Sequence, residues 1–145
     1  MAVTFTNNFK NILDKLRGVL RTEFKGALPI YVGHETKDTG TQYLRLDPFG
    51  STLSEYNATS ETREFTIDIR FVFNEANVNE TALDHILRQV SRIEALIHDN
   101  VTMTLSDSSS AFNCRFESTE LNADEESGIY VVEWEYKCQH LGNIA

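Results

Sequence analysis

The chain is short of the residues that build reactive or anchored sites. Glycine is sparse, at seven in 145 residues, and neither GxGxxG, a P-loop nor GxSxG occurs, which excludes the glycine-rich phosphate cradles and the serine elbow. The two cysteines, Cys114 and Cys138, lie far apart with no CxxC spacing, so they read as a buried, reduced pair and not as metal thiolates. Cations are few and scattered: 13 Lys and Arg face 22 Asp and Glu, a net charge of −9. That balance speaks against a nucleic-acid grip, which needs a basic patch to neutralise phosphates. No run approaches the roughly 20 apolar residues of a membrane span. The start, MAVTFTNNF, lacks the basic and apolar regions of a signal peptide, so folding in the cytosol is expected.

What is present is patterned. Phe5, Phe9, Ile12, Leu13, Leu16, Val19, Leu20 and Phe24 recur at steps of three and four, which predicts a helix from Thr4 to Lys25. Thr4 or Thr6 is the expected cap, and Gly26 the expected C-terminal turn. Leu28 to Glu35 reads as a strand that forms a hairpin with a second strand, Gln42 to Asp47, across the turn at 36–40. The stretch from Phe49 to Thr62 is polar and unpatterned and reads as a long loop. Its large apolar groups, Phe49, Leu53 and Tyr56, are candidates for burial against a neighbouring subunit, or for tacking the loop to its own domain.

Arg63 to Asn74 is the clearest strand, with Phe65, Ile67, Ile69, Phe71 and Phe73 alternating against polar neighbours. A second helix follows from Asn79 or Glu80 to His98, with Leu83, Ile86, Leu87, Val90, Ile93 and Ile97 as its stripe. Val101 to Leu105 is a short strand, and Ala111–Asn122 and Ile129–His140 form a closing hairpin. Centred on Glu126, that hairpin sets Cys114 opposite Cys138 and Phe116 opposite Tyr136. Segregated helices and strands predict one α+β domain over residues 1–145. Its expected form is an antiparallel or mixed sheet with two helices on one face, in the order α-β-β-β-α-β-β and a further short strand.

No reactive constellation emerges, and no catalytic, cofactor or metal residue is assigned. His34, His85, His98 and His140 are scattered, without the i, i+4 spacing of paired ligands. Asp68 is the carboxylate best placed for chemistry, yet Arg70, two residues on and on the same strand face, is its expected ion-pair partner. Asp124, Glu125 and Glu126 make a small acidic turn without the spread of oxygens that a calcium loop needs.

The amphipathic first helix, the FTIDIRFVF strand, the LDHILRQVSRIEALI helix and the closing hairpin ending in GIYVVEWEYKC together resemble tail terminator (tail completion) proteins of tailed bacteriophages. The resemblance spans residues 5–141. It implies a virion protein assembled in the host cytoplasm as a homo-oligomeric, hexameric ring that caps the tail tube and docks the head connector. Its partners would be its own copies, the tail tube protein and the connector. DNA would pass the lumen without specific binding, and neither a membrane nor a cofactor is involved. On this reading Phe49, Leu53, Tyr56, Asp68 and Arg70 are interface candidates, and Asp124, Glu125 and Glu126 face the lumen or a partner. A head–tail joining protein of the phage neck is the neighbouring alternative. A small enzyme or ligand-binding domain is the different-class one.

Overall fold

A computed structural model describes residues 7–25, 28–32, 42–56, 60–74, 80–124 and 129–143. Helix α1 (Asn8–Phe24) is followed by strands β1 (Ile30–Val32), β2 (Gln42–Tyr56) and β3 (Ser60–Asn74). Helix α2 (Glu80–Asp99) then leads to β4 (Met103–Thr104), β5 (Ser110–Asp124) and β6 (Ile129–Asn143). The α+β order expected from the sequence is the order observed.

The strands form one six-stranded sheet, ordered β1-β2-β3-β6-β5-β4. Both helices pack on one face. Ile12, Leu16 and Leu20 of α1 and Ile86, Ile93 and Ile97 of α2 meet Leu44, Leu46, Ile67, Ile69, Phe71, Trp134 and Tyr136 in a single core. Alternation in β3 and β6 puts every second side chain into that core, as period-2 geometry requires. Trp134 and Phe71 bury fully, and each large side chain removed from water contributes roughly 1.5–3 kcal/mol.

Local chemistry sets the ends of α1. Asn7 is its cap: the side-chain oxygen accepts from Lys10 N at 3.2 Å. Thr4, Thr6 and Gly26 lie outside the described residues. The left-handed turn falls instead on Lys25 (φ 50°), whose N–H donates to Arg21 O at 2.7 Å. The expected caps or turns at Asn79 and at residues 36–40 also lie outside the described residues.

Three expectations are corrected. The first two strands do not form a hairpin: β1 runs parallel to β2, with Ile30 beside Leu44 and Val32 beside Leu46. A parallel neighbour normally needs a long crossover. Here β1 is only three residues, and nine residues separate its end from the start of β2. Second, most of the stretch read as a loop is strand. β2 continues to Tyr56 and β3 begins at Ser60, and the two pair as far as Tyr56–Glu61, with register shifts at Phe49 and Ser54. Third, Cys114 is not directly opposite Cys138. Register shifts between Phe112 and Arg115, and again between Phe116 and Ser118, leave Cys114 in a bulge beside Asn113 (φ 53°). Its N–H bonds Val101 O at 2.9 Å. The Phe116–Tyr136 pairing is as expected.

Candidate functional site

The sheet is longer than the helices that cover it. β2 and β3 pair from Gln42–Phe73 to Tyr56–Glu61, and β6 accompanies them as far as Asn143. Past Phe65 and His140, no side chain of this three-stranded extension belongs to the core. Leu53 (45% exposed) and Tyr56 (65%) stand on β2 in this overhang, while Leu141 of β6, opposite Thr62, is exposed on the other sheet face, and Phe49 (74%) lies nearer the core at a register shift level with Ile67 and Thr66.

Leu53 and Tyr56 are three residues apart, a spacing that would place them on opposite strand faces. A register shift between Leu53 and Glu55 changes that. Leu53 pairs with Arg63 and Tyr56 with Glu61, two residues apart on β3, so both project to the helix side of the sheet. On this surface Arg63 bonds Glu61 and Ser51, each at 3.4 Å. The helix side of the overhang thus carries Leu53 and Tyr56 beside Ser51, Arg63 and Glu61, with no helix among the described residues packed over it.

The opposite sheet face bears charge in rows across the strands. Asp47, Asp68 and Glu135 stand side by side on β2, β3 and β6. In the next row Arg45 and Arg70 neighbour Glu133, and Arg70 Nε pairs with Glu133 Oε1 at 3.2 Å. Arg70 therefore salt-bridges across to β6 and not along its own strand to Asp68. Partial desolvation raises the Asp68 pKa above its ordinary value; Arg70 opposes this, while Asp47 and Glu135 add to it. Further along, Glu64 gathers Arg115 at 3.1 Å and Lys137 at 3.7 Å. Asp68 and Arg70 sit on this charged face, Leu53 and Tyr56 on the helix side of the overhang, and Phe49 at the register shift level with Ile67, so the structure does not bring the five candidates into one patch. Glu125 and Glu126 lie outside the described residues, and of Asp124 only the strand pairing is described.

Three buried or half-buried polar arrangements tie the elements together, of which the sequence suggests only the cysteine pair. His140 is 3% exposed, and its Nε2 meets Ser109 Oγ at 2.9 Å, while Ser109 also donates to Asp107. The residue types are those of an acyl-transfer triad, but the carboxylate sits on the serine and not on the far imidazole nitrogen. The arrangement tethers the β4–β5 turn to β6. Burial lowers the His140 pKa, with Asp107 opposing. Second, Glu94 of α2 accepts from Trp134 Nε1 at 3.1 Å and from Thr119 Oγ1 at 3.0 Å, joining α2 to β5 and β6. Third, the free thiols Cys114 and Cys138 lie beside Tyr136, whose buried hydroxyl has no partner in hydrogen-bond geometry. A hydrogen bond from Cys138 lowers the Cys114 pKa to about 7, against burial, and the Cys138 thiol is correspondingly raised.

An open groove of about 460 Å³ lies between the helices, lined by Gly18, Val19, Thr22, Glu23, Leu96 and Asn100. Among the described residues, no three His, Cys, Asp or Glu side chains converge as metal ligands, and no helix is long and apolar enough to cross a membrane.

No protein-family model matches the chain, and no curated protein does. Solved structures do. A chain in the virion of the native gene transfer agent (GTA) particle superposes with a TM-score of 0.63 at 10% identity, covering 95% of this chain and all of that one (100%). A second solved structure superposes with a TM-score of 0.58 at 13% identity, over 90% of this chain and 95% of the other. At these identities the likeness establishes a shared fold along nearly the full length.

Proposed function

We propose that this chain is a structural virion subunit of a tailed phage or phage-like particle. It forms a ring, a hexamer by resemblance to tail terminators, at the head-proximal end of the tail tube. There it stops tube growth and offers the head connector a docking surface. The observation that carries the reading is the overhang, where Leu53 and Tyr56 lie exposed on one face of strands that extend past the core. Contiguous exposed apolar groups mark surfaces that other proteins cover. The shared fold with a chain of a virion particle supports the same reading.

A ring needs a heterologous interface, in which one patch of each subunit meets a different patch on the next. The net charge of −9 suits a conduit, since DNA passing an acidic bore is repelled by it and not held. Electron microscopy of the protein mixed with tail tubes and with portal-bearing heads tests the position. Rings capping tube ends are expected. Decoration of heads alone would make it a head–tail joining protein, and a dispersed monomer that binds neither would refute a virion role.

A further inference from the structure

Among the described residues, both lateral edges of the sheet are unpaired over long stretches. β1 covers β2 only as far as Leu46, so from Asp47 to Tyr56 no described residue pairs with the outer side of β2. At the other margin β4 covers β5 only at Ser110 and Ala111, and Val101 O takes the Cys114 N–H. From Arg115 to Asp124 no described residue pairs with the outer side of β5. Exposed edges of this length are templates for another strand.

We infer that the two edges join between copies: the free edge of β2 in one subunit pairs with the free edge of β5 in the next, making one continuous sheet around the assembly. The inference rests on the ring reading and adds its mode of closure. Three features favour a second copy as the occupant.

The first is strand direction. β2 is antiparallel to β3, β3 to β6 and β6 to β5, so β2 and β5 run oppositely. A copy displaced sideways, without being turned over, therefore presents β5 antiparallel to β2, the stronger pairing. The helices of both copies then lie on the same side of the joined sheet.

The second is the position of the apolar groups. Leu53 and Tyr56 project to the helix side of β2. Leu121 on β5 is opposite core residue Val132 and so projects to the same side, yet is 46% exposed. Leu83 and Leu87 of α2 are exposed as well, on the helical stripe that continues to Glu94, which contacts β5 through Thr119. With the stagger set out next, joining the edges brings Leu121 level with Ser51, one same-face position from Leu53, on the side where Leu83 and Leu87 are exposed.

The third is stagger. Arg115, at the start of the free β5 edge, lies in the row of Gly50, six residues short of the end of β2. Matching the two free edges shifts the next copy along the strands by about 20 Å at roughly 3.3 Å per residue. A stagger of this kind is what closing a sheet on itself requires. Pro48 has no N–H to offer, which places the pairing on Gly50–Tyr56. Both edges carry carboxylates, Glu55 on one and Glu117 and Glu120 on the other, so added salt strengthens the join.

Cysteine cross-linking tests this directly. Leu53→Cys and Leu121→Cys replace exposed side chains, and the native Cys114 and Cys138 are buried. With a short bismaleimide, a mixture of the two single variants should give a covalent dimer that neither gives alone. The double variant should give a ladder up to the ring. Rings seen by native mass spectrometry without cross-links overturn the edge join and leave the ring reading standing. Self-linking of Leu53→Cys alone means two-fold pairing and also overturns it. No oligomer in any variant or in the parent chain, with or without tail tubes, sinks both.

Discussion

Trp134 of β6 donates its indole N–H to Glu94 of α2 at 3.1 Å, and the same oxygen accepts from Thr119 of β5 at 3.0 Å. One carboxylate thus fastens the second helix to two neighbouring strands. Glu94→Ala leaves the indole N–H in a site where Trp134 is 1% exposed, and an orphaned buried donor costs about 1–3 kcal/mol. Glu94→Gln keeps an acceptor and should cost less. Trp134→Ala removes the largest core side chain, at about 3–5 kcal/mol. Urea denaturation resolves the series, and because the chain has one tryptophan, its fluorescence reports this junction alone in the first two variants.

Tyr136 offers the opposite case. Its hydroxyl is buried with only the weakly bonding Cys114 thiol beside it, so folding strips it of water for little hydrogen bonding in return. Tyr136→Phe should leave stability unchanged or raise it by up to about 1 kcal/mol, measured as a shift in the denaturation midpoint at constant slope.

The His140 tether makes stability depend on pH. Burial holds its pKa below the ordinary 6.5, so between those two values the unfolded chain binds more protons than the folded one. Stability should therefore be full above about pH 6.5, decline as pH falls through that window, and level off below it. His140→Asn should flatten this segment of the profile. Denaturation midpoints collected from pH 7.5 downward provide the comparison.

The sequence showed its core and hid its overhang for one reason. Periodicity is legible only where a partner surface enforces it. β3 alternates because Phe65, Ile67 and Ile69 must face the helices, and α1 and α2 carry stripes for the same cause. Beyond the helices nothing selects an apolar face. Ser51, Thr52, Glu55, Glu61 and Thr62 are held chiefly by the ladder and not by a core, and their sequence resembles a loop. The shift at Leu53 further disguised the alternation by placing Leu53 and Tyr56 three apart on one face. Direction was equally hidden, because strand propensity is the same in parallel and antiparallel pairs, so β1 was misread as half of a hairpin. The expected Asp68–Arg70 pair failed because a cross-strand acid, Glu133, competes better than one two residues along the same strand.

On the proposed function, sibling subunits cover the overhang. Leu53→Asp with Tyr56→Asp alters only exposed side chains, so the monomer's circular dichroism and denaturation midpoint should hold to within about 0.5 kcal/mol per site. Sedimentation of parent and variant, with and without tail tubes, is the decisive measurement. A ring-sized species from the parent and a single-subunit mass from the folded variant are predicted. A variant that still assembles like the parent would contradict the account.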